Sequence, residues 1–313
     1  MNYIRCFLLL LVVGCTNKTE DKESSAAGSK IYLTVLGIVQ DGGYPHINNP
    51  KEFEAVKQDS KNRKYVVSLG LVDTYNGKKF LFEATPDMPF QLNHLENEHL
   101  KTQHIIDGVF LTHAHIGHYA GLMHFGREAM GAVNIPVYAM PKMRQFLENN
   151  GPWLQLVKLK NIQLNTIFKD STINITSRLK VTPFLVPHRD EFSETVGYKI
   201  EGPNKSALFI PDIDKWEKWN KNIVDEVKKV DYALIDATFF ADGEIPRPMS
   251  EVPHPFIQET VDLFKDETYK ERSKIVFIHF NHSNPVLELN FGARRKLEKE
   301  GYQFAFRGMN LPL

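Results

Sequence analysis

Four times along the chain an apolar, strand-like run stops at a histidine or an aspartate: "FLTHAHIGH" (110–118), "FLVPHRDE" (184–191), "FIPDID" (209–214) and "FIHFNH" (277–282). Rigid strands that deliver ligand-type side chains at their ends can assemble one site from distant parts of a sequence. The fold must therefore bring such ends together.

The rest of the chain is compatible with that demand. Twelve β-like runs begin at "IYLTVLGI" (31–38) and end at "YQFAF" (302–306). Helical patterns lie between them, the clearest being 118–132, 141–150, 215–230, 254–264 and 284–301. The last has Asn284 as a cap, Pro285 in the first turn and Gly301 at the stop. In the third, Trp216, Trp219, Ile223 and Val227 recur at helical spacing and read as core. Strands interleaved with helices, without a linker or a repeat of fixed period, predict one α/β domain of two sheets covered by helices.

Composition narrows the function. Lys plus Arg and Asp plus Glu are both 38, so nothing favours binding to a phosphate backbone, and no nucleic-acid partner is expected. The opening "MNYIRCFLLLLVVGC" has Arg5, an apolar run from Phe7 to Val13, and Cys15 after small or aliphatic residues. That run is shorter than the roughly 20 residues needed to span a bilayer, but it suits the core of an export signal. "VVGC" resembles a bacterial lipoprotein processing box, which predicts a signal peptide over 1–15, a lipid on Cys15, a polar tether over 16–30, and a folded domain over 31–313. The expected location is the cell envelope, with a membrane anchor through Cys15. Cys6 and Cys15 are the only cysteines, so the expected mature domain has no free thiol. Any metal there must be held by His, Asp and Glu.

His113 and His115 are two apart. On a helix they would point about 200° from each other, whereas at an extended strand end they share a face. His118 follows where the chain turns toward a helix, and Gly121 allows close backbone packing there. His188 can complete a three-nitrogen set with His113 and His115, the pattern that leaves a position open for water in catalytic zinc sites. For a second ion the candidates are His118, Asp212 and His279, with Asp212 able to bridge the two. His104 and His124 read as ordinary surface or core histidines. His46, in "DGGYPH", could line a pocket mouth.

"THAHIGH" resembles the His-x-His-x-Asp-His signature of the metallo-β-lactamase superfamily, and His188, Asp212 and His279 match its later ligands in order. The resemblance runs from Ile31 to the end and implies a four-layer αββα sandwich. Within the superfamily, "VLGIVQDGGYPH", "EATPDM", "FIPDIDKW", "IDATFF" and "IHFNHSNP" resemble the coenzyme PQQ synthesis protein B group. Unlike that group, the chain has no cysteine after its Gly-rich turn and keeps all three histidines of the loop. The resemblance also implies an acid at position 117, where this chain has Gly117. The second ion should then bind more weakly, unless a neighbour such as His282 takes the vacancy. Asp87 falls where the fold often has a supporting acid. His254 followed by Glu259 is similar to the phosphodiesterase branch, in which such a histidine protonates the leaving oxygen.

The expected activity is metal-dependent hydrolysis of a small-molecule substrate, a phosphodiester or another ester- or lactone-like bond. One or two zinc ions would activate water, with His254 and Asp212 as catalytic residues. Iron is also compatible with the donors. That leaves open a metal-dependent oxidation or hydroxylation linked to PQQ-type biosynthesis, or a non-catalytic envelope binding protein.

Overall fold

Each of the twelve apolar runs contains a strand in the computed structural model, which describes residues 30–246, 248 and 251–313. The expected signal, the lipidated Cys15 and nearly all of the tether lie outside the described residues. No helix among the described residues is long and apolar enough to cross a membrane.

Fourteen strands form two seven-stranded sheets. The first contains β1 (Ile31–Gly37), β2 (Ser68–Asp73), β3 (Lys78–Phe82), β4 (Gly108–Phe110), β5 (Ile135–Ala139) and β6 (Ile162–Thr166) in that order, with the last strand, β14 (Asn310–Pro312), outside β1. The second runs from β7 (Ile173–Asn174) through β8 (Lys180–Leu185), β9 (Val196–Glu201), β10 (Ser206–Ile210), β11 (Tyr232–Asp236) and β12 (Ile275–Ile278) to β13 (Gln303–Phe304). Two-residue β7 and three-residue β14 have no apolar run to announce them in the sequence.

The inner faces pack on each other. Leu33, Leu69, Leu71, Phe82 and Phe110 of the first sheet share one buried core with Val181, Tyr198, Ile200, Phe209 and Phe277 of the second. The outer face of the first sheet, with Val72, Leu81, Val109 and Val137, is covered by Met88, Leu92, Met143, Leu147 and Leu156 from helices and their flanks. Ile223, Val227, Ile257 and Leu297, from helices covering the second sheet, join the inner core. The four-layer α/β sandwich is the architecture observed.

Helices are shorter than the patterns predict. The stretch 118–132 gives only a helical turn at Ile116–Tyr119 and a 3-10 segment at Ala120–Phe125. The stretch 215–230 breaks into a 3-10 turn at Trp216–Lys218 and a helix at Ile223–Lys228, because the Asn222 side chain caps a new start by accepting from Val224 N. Trp216, Trp219, Ile223 and Val227 are buried as expected. Asn284 does cap, but the element it caps is the 3-10 turn Pro285–Leu287, and a separate helix begins at Gly292.

Candidate metal centre

Parallel strands set the side chains of the site. β3, β4, β5 and β6 pair in parallel, as do β10, β11, β12 and β13, and the loops beyond their C-terminal ends meet where the two sheets face each other. The loop after β4 carries His113, His115 and His118. Val196 N donates to Thr112 O at 3.2 Å and Ala114 N to Ser193 Oγ at 2.8 Å, tying this loop to the start of β9. Tyr198, buried on β9, donates its hydroxyl to Leu111 O. The extended backbone at His115 (φ −83°, ψ 143°) puts the His113 and His115 rings 4.4 Å apart, as the two-residue spacing requires.

Asp212, two residues past β10, lies at the centre. Its Oδ2 is 3.3 Å from His113 Nε2 and 3.6 Å from His118 Nε2. Its Oδ1 is 3.2 Å from both His188 Nε2 and His254 Nδ1. Ligand atoms of His113, His115, His188 and Asp212 fall within 4.8 Å of one another, as do those of Asp41, His118 and His279, and those of Asp212, Asp236, His254 and His279. All the histidines singled out as ligands, together with Asp212 and His254, are therefore brought together.

Several of these atoms are buried with no hydrogen-bond partner outside the cluster: His113 Nε2, His118 Nε2, His279 Nε2, Asp41 Oδ1 and Asp212 Oδ1. Buried polar atoms left in that state are costly. Outward-facing bonds orient the rings, since His113 Nδ1 meets Thr112 Oγ1 at 2.8 Å, His118 Nδ1 meets Glu83 at 3.2 Å, and His279 Nδ1 meets Thr238 Oγ1 at 2.8 Å. Glu83 keeps a proton on Nδ1 and leaves Nε2 facing the cavity. This is how metal-binding imidazoles are held. Burial lowers the pKa of His118, but Asp41 and Glu83 at its two nitrogens raise it well above its ordinary value, so an ion bound at Nε2 would take the place of a proton there. A set of imidazole nitrogens sharing a carboxylate fits Zn2+ and also iron.

The electrostatics ask for positive charge. Burial opposes ionisation of Asp212, yet His188 and His254 beside it hold its carboxyl well below the usual range. Burial acts on Asp41 in the same way and is outweighed by His118 and His279. Asp236 is drawn down to about 2 by His254 and His279 against its own desolvation. Burial lowers His279 less than Asp236 and Asp41 raise it, to about 9. Burial and the neighbouring His118 push His113 well below its ordinary value, which favours its neutral form.

Three residues escaped the sequence reading. Glu83 follows β3 directly within the same "LFEATPD" segment, is fully buried, and takes the supporting role expected of Asp87. Asp87 instead accepts from Arg63 at 2.9 Å and Val66 N at 3.0 Å, which fastens the approach to β2. Asp236, the last residue of β11, accepts from Thr238 N and Ile213 N and lies 2.9 Å from His254 Nδ1. It, and not Glu259, is the carboxylate behind His254. Glu259 pairs with Lys215 at 2.7 Å and accepts from Phe256 N. Asp41, in the turn after β1, is the third.

His282 does not fill the place beside Gly117. It lies 2.8 Å from Glu52 Oε1 and stacks on His46, ring centroids 4.0 Å apart. A Cβ on Gly42 would meet the His46 ring at 2.5 Å, so His46 packs beneath the turn that carries Asp41. His104 is exposed, and neither it nor His124 belongs to any of the three groups.

Strand-end histidines gathered on a central aspartate between two facing sheets define a metallo-β-lactamase-type protein. A family model described as the beta-lactamase superfamily domain matches residues 78–280, and the chain belongs to that superfamily. Within it the chain is similar to coenzyme PQQ synthesis protein B. The protein of that name from Nitrosococcus oceani is 24% identical over 316 residues, covering 90% of this chain and 99% of the relative. Zn(2+)-bound PqqB from Methylobacterium extorquens superposes with a TM-score of 0.72 at 22% identity, over 90% of this chain and 100% of that one. A diphosphatase of the PhnP family superposes with a TM-score of 0.60 at 21% identity, over 90% and 98%.

Proposed function

We propose that the chain is a metal-dependent hydrolase whose substrate is a phosphodiester or another small ester- or lactone-like bond. The observation that carries the reading is the convergence of unpartnered, buried histidine nitrogens on Asp212. His113, His115, His188 and Asp212 would hold one ion. His118 and His279 would hold a second, with Asp212 shared. Such ions, when bound, supply the Lewis acidity that makes water nucleophilic near neutral pH and stabilises charge on the substrate oxygen.

The chain's own groups provide the rest. Asp236, drawn down to about 2 by His254 and His279 against its burial, lies 2.9 Å from His254 Nδ1 and orients the ring. Proton delivery to a leaving oxygen then falls to Nε2 of His254. The likeness to a PhnP-family diphosphatase supports a substrate cleaved at a phosphoryl group. Export with lipid on Cys15, a tether over 16–30 and a catalytic domain over 31–313 belong to the same proposal, supported by the N-terminal sequence pattern.

The test is turnover of bis(p-nitrophenyl) phosphate, a simple lactone and a β-lactam by protein of known metal content. His188→Ala and Asp212→Ala should each abolish hydrolysis and lower bound metal, and a chelator should stop the wild type. Full activity in both variants would sink the proposal. The likeness to PQQ synthesis proteins favours a second reading, an iron-dependent oxidation. Iron as the purified metal, with substrate-dependent oxygen consumption and no hydrolysis, would select it.

A further inference from the structure

Gly117 removes an acid from the histidine loop, yet the space beside it is filled. A Cβ built on Gly117 would lie 2.6 Å from Asp41 Cγ and 2.7 Å from Asp41 Cα and Cβ. The Asp41 side chain therefore occupies the position a side chain at 117 would take, and it arrives from the turn after β1, 76 residues upstream. Asp41 Oδ1 is 2.9 Å from His118 Nε2 and 3.7 Å from His279 Nε2. Neither imidazole is exposed, and the three atoms face one another with no hydrogen-bond partner outside this cluster.

We propose that Asp41 is a ligand of the second ion, supplying from the N-terminal turn the carboxylate that the loop lacks at Gly117. The proposal rests on the metallohydrolase reading and answers a question inside it, how two divalent cations are held without the loop acid. Chemically the exchange is conservative, since one carboxylate oxygen and one negative charge are kept at the His118 and His279 face. The backbone makes the donor rigid. Val39 bridges both Val66 and Phe280, Gln40 N donates to Phe280 O at 2.8 Å, and Gly43 N donates to Gln40 O at 2.9 Å. Phe280 directly follows His279, so these backbone bonds tie the Asp41 turn to that histidine. Below the turn, Glu52 accepts from His46 N at 2.7 Å and meets His282, which stacks on His46.

The test is titration of chelator-stripped full-length protein with Zn2+, following stoichiometry by elemental analysis and affinity by calorimetry, without reference to activity. Wild type should bind two ions. Asp41→Asn, which keeps the shape of the side chain, should bind one, or bind the second more weakly by more than the roughly 10–100-fold that loss of an outer partner costs. His188→Ala should weaken the other site. Two ions with unchanged affinities in Asp41→Asn overturn the proposal and leave the metallohydrolase reading standing. A wild type that binds no ion overturns both. If Asp41→Asn also lowers the melting temperature of the stripped protein, the exchange Asp41→Gly with Gly117→Asp decides. Regained binding of two ions marks the carboxylate as a ligand, and failure to regain it marks Asp41 as a folding residue only.

Discussion

Glu83 shows how much of the site depends on a residue that never meets the cavity. It is fully buried at a positive φ of 76°, a conformation non-glycine residues rarely adopt, and its carboxylate sits 3.2 Å from His118 Nδ1. Burial raises its pKa against the pull of His118. The geometry persists because it fixes which imidazole nitrogen faces inward. Glu83→Gln should leave the fold intact and weaken Zn2+ binding by about 10–100-fold, read by competition with a chromophoric chelator. Unaltered affinity would mean that Thr112 and the loop backbone suffice to orient the site. The histidines were legible in the sequence because imidazoles at strand ends are rare and chemically specific. Glu83, Asp41 and Asp236 were not, because a carboxylate near a strand end is common and only three-dimensional proximity separates Asp41, which reaches His118, from Asp87, which reaches Arg63.

At the scale of elements, the short turn Ile116–Tyr119 is docked by backbone contact. Gly121 N donates to Ala84 O at 2.8 Å and Ala84 N to His118 O at 2.9 Å, and a Cβ on Gly121 would lie 2.1 Å from Thr85 O. No rotamer change relieves a clash with backbone. Gly121→Ala should cost about 1–3 kcal/mol or more, seen as a lower melting temperature, and should weaken metal binding through displacement of His118. A variant as stable as wild type would show that the turn can slide on the end of β3. This close approach was readable in "HYAGL", whereas the continuous helix expected through residue 132 was not formed. Period alone cannot register that Ala84 claims the turn's backbone bonds. The strands were legible for the opposite reason, since β-branched and aromatic runs bounded by Gly, Asp and Pro are local signals. Short β7 and β14 exist only through their partners, β8 and β1.

Across the whole molecule, the two sheets repeat one pairing pattern that the sequence does not repeat. Reading from β14 through β1 to β6, three antiparallel pairings are followed by three parallel ones, and reading from β7 to β13 gives the same series. The site lies between these halves and draws on both. Asp41, Glu83, His113, His115 and His118 come from the first, and His188, Asp212, Asp236, His254 and His279 from the second. Ions bound there would clasp two sheets otherwise joined by apolar packing and by hydrogen bonds such as Val196 N to Thr112 O and Gln40 N to Phe280 O. They would also take over from the histidines the charge that keeps the buried carboxylates of Asp41, Asp212 and Asp236 ionised. Because the ligand set does not exist in the unfolded chain, binding adds to folding stability by mass action. Free Zn2+ at about a hundred times its dissociation constant should stabilise the fold by about 2.7 kcal/mol. For a domain of this size that raises the melting temperature by roughly 5 °C, and a chelator should reverse the rise. Asp212→Asn, which removes the charge shared between the halves, should melt at nearly the same temperature with and without Zn2+. If the wild type also melts at one temperature in both conditions, packing and hydrogen bonds hold the two halves and the centre is no clasp.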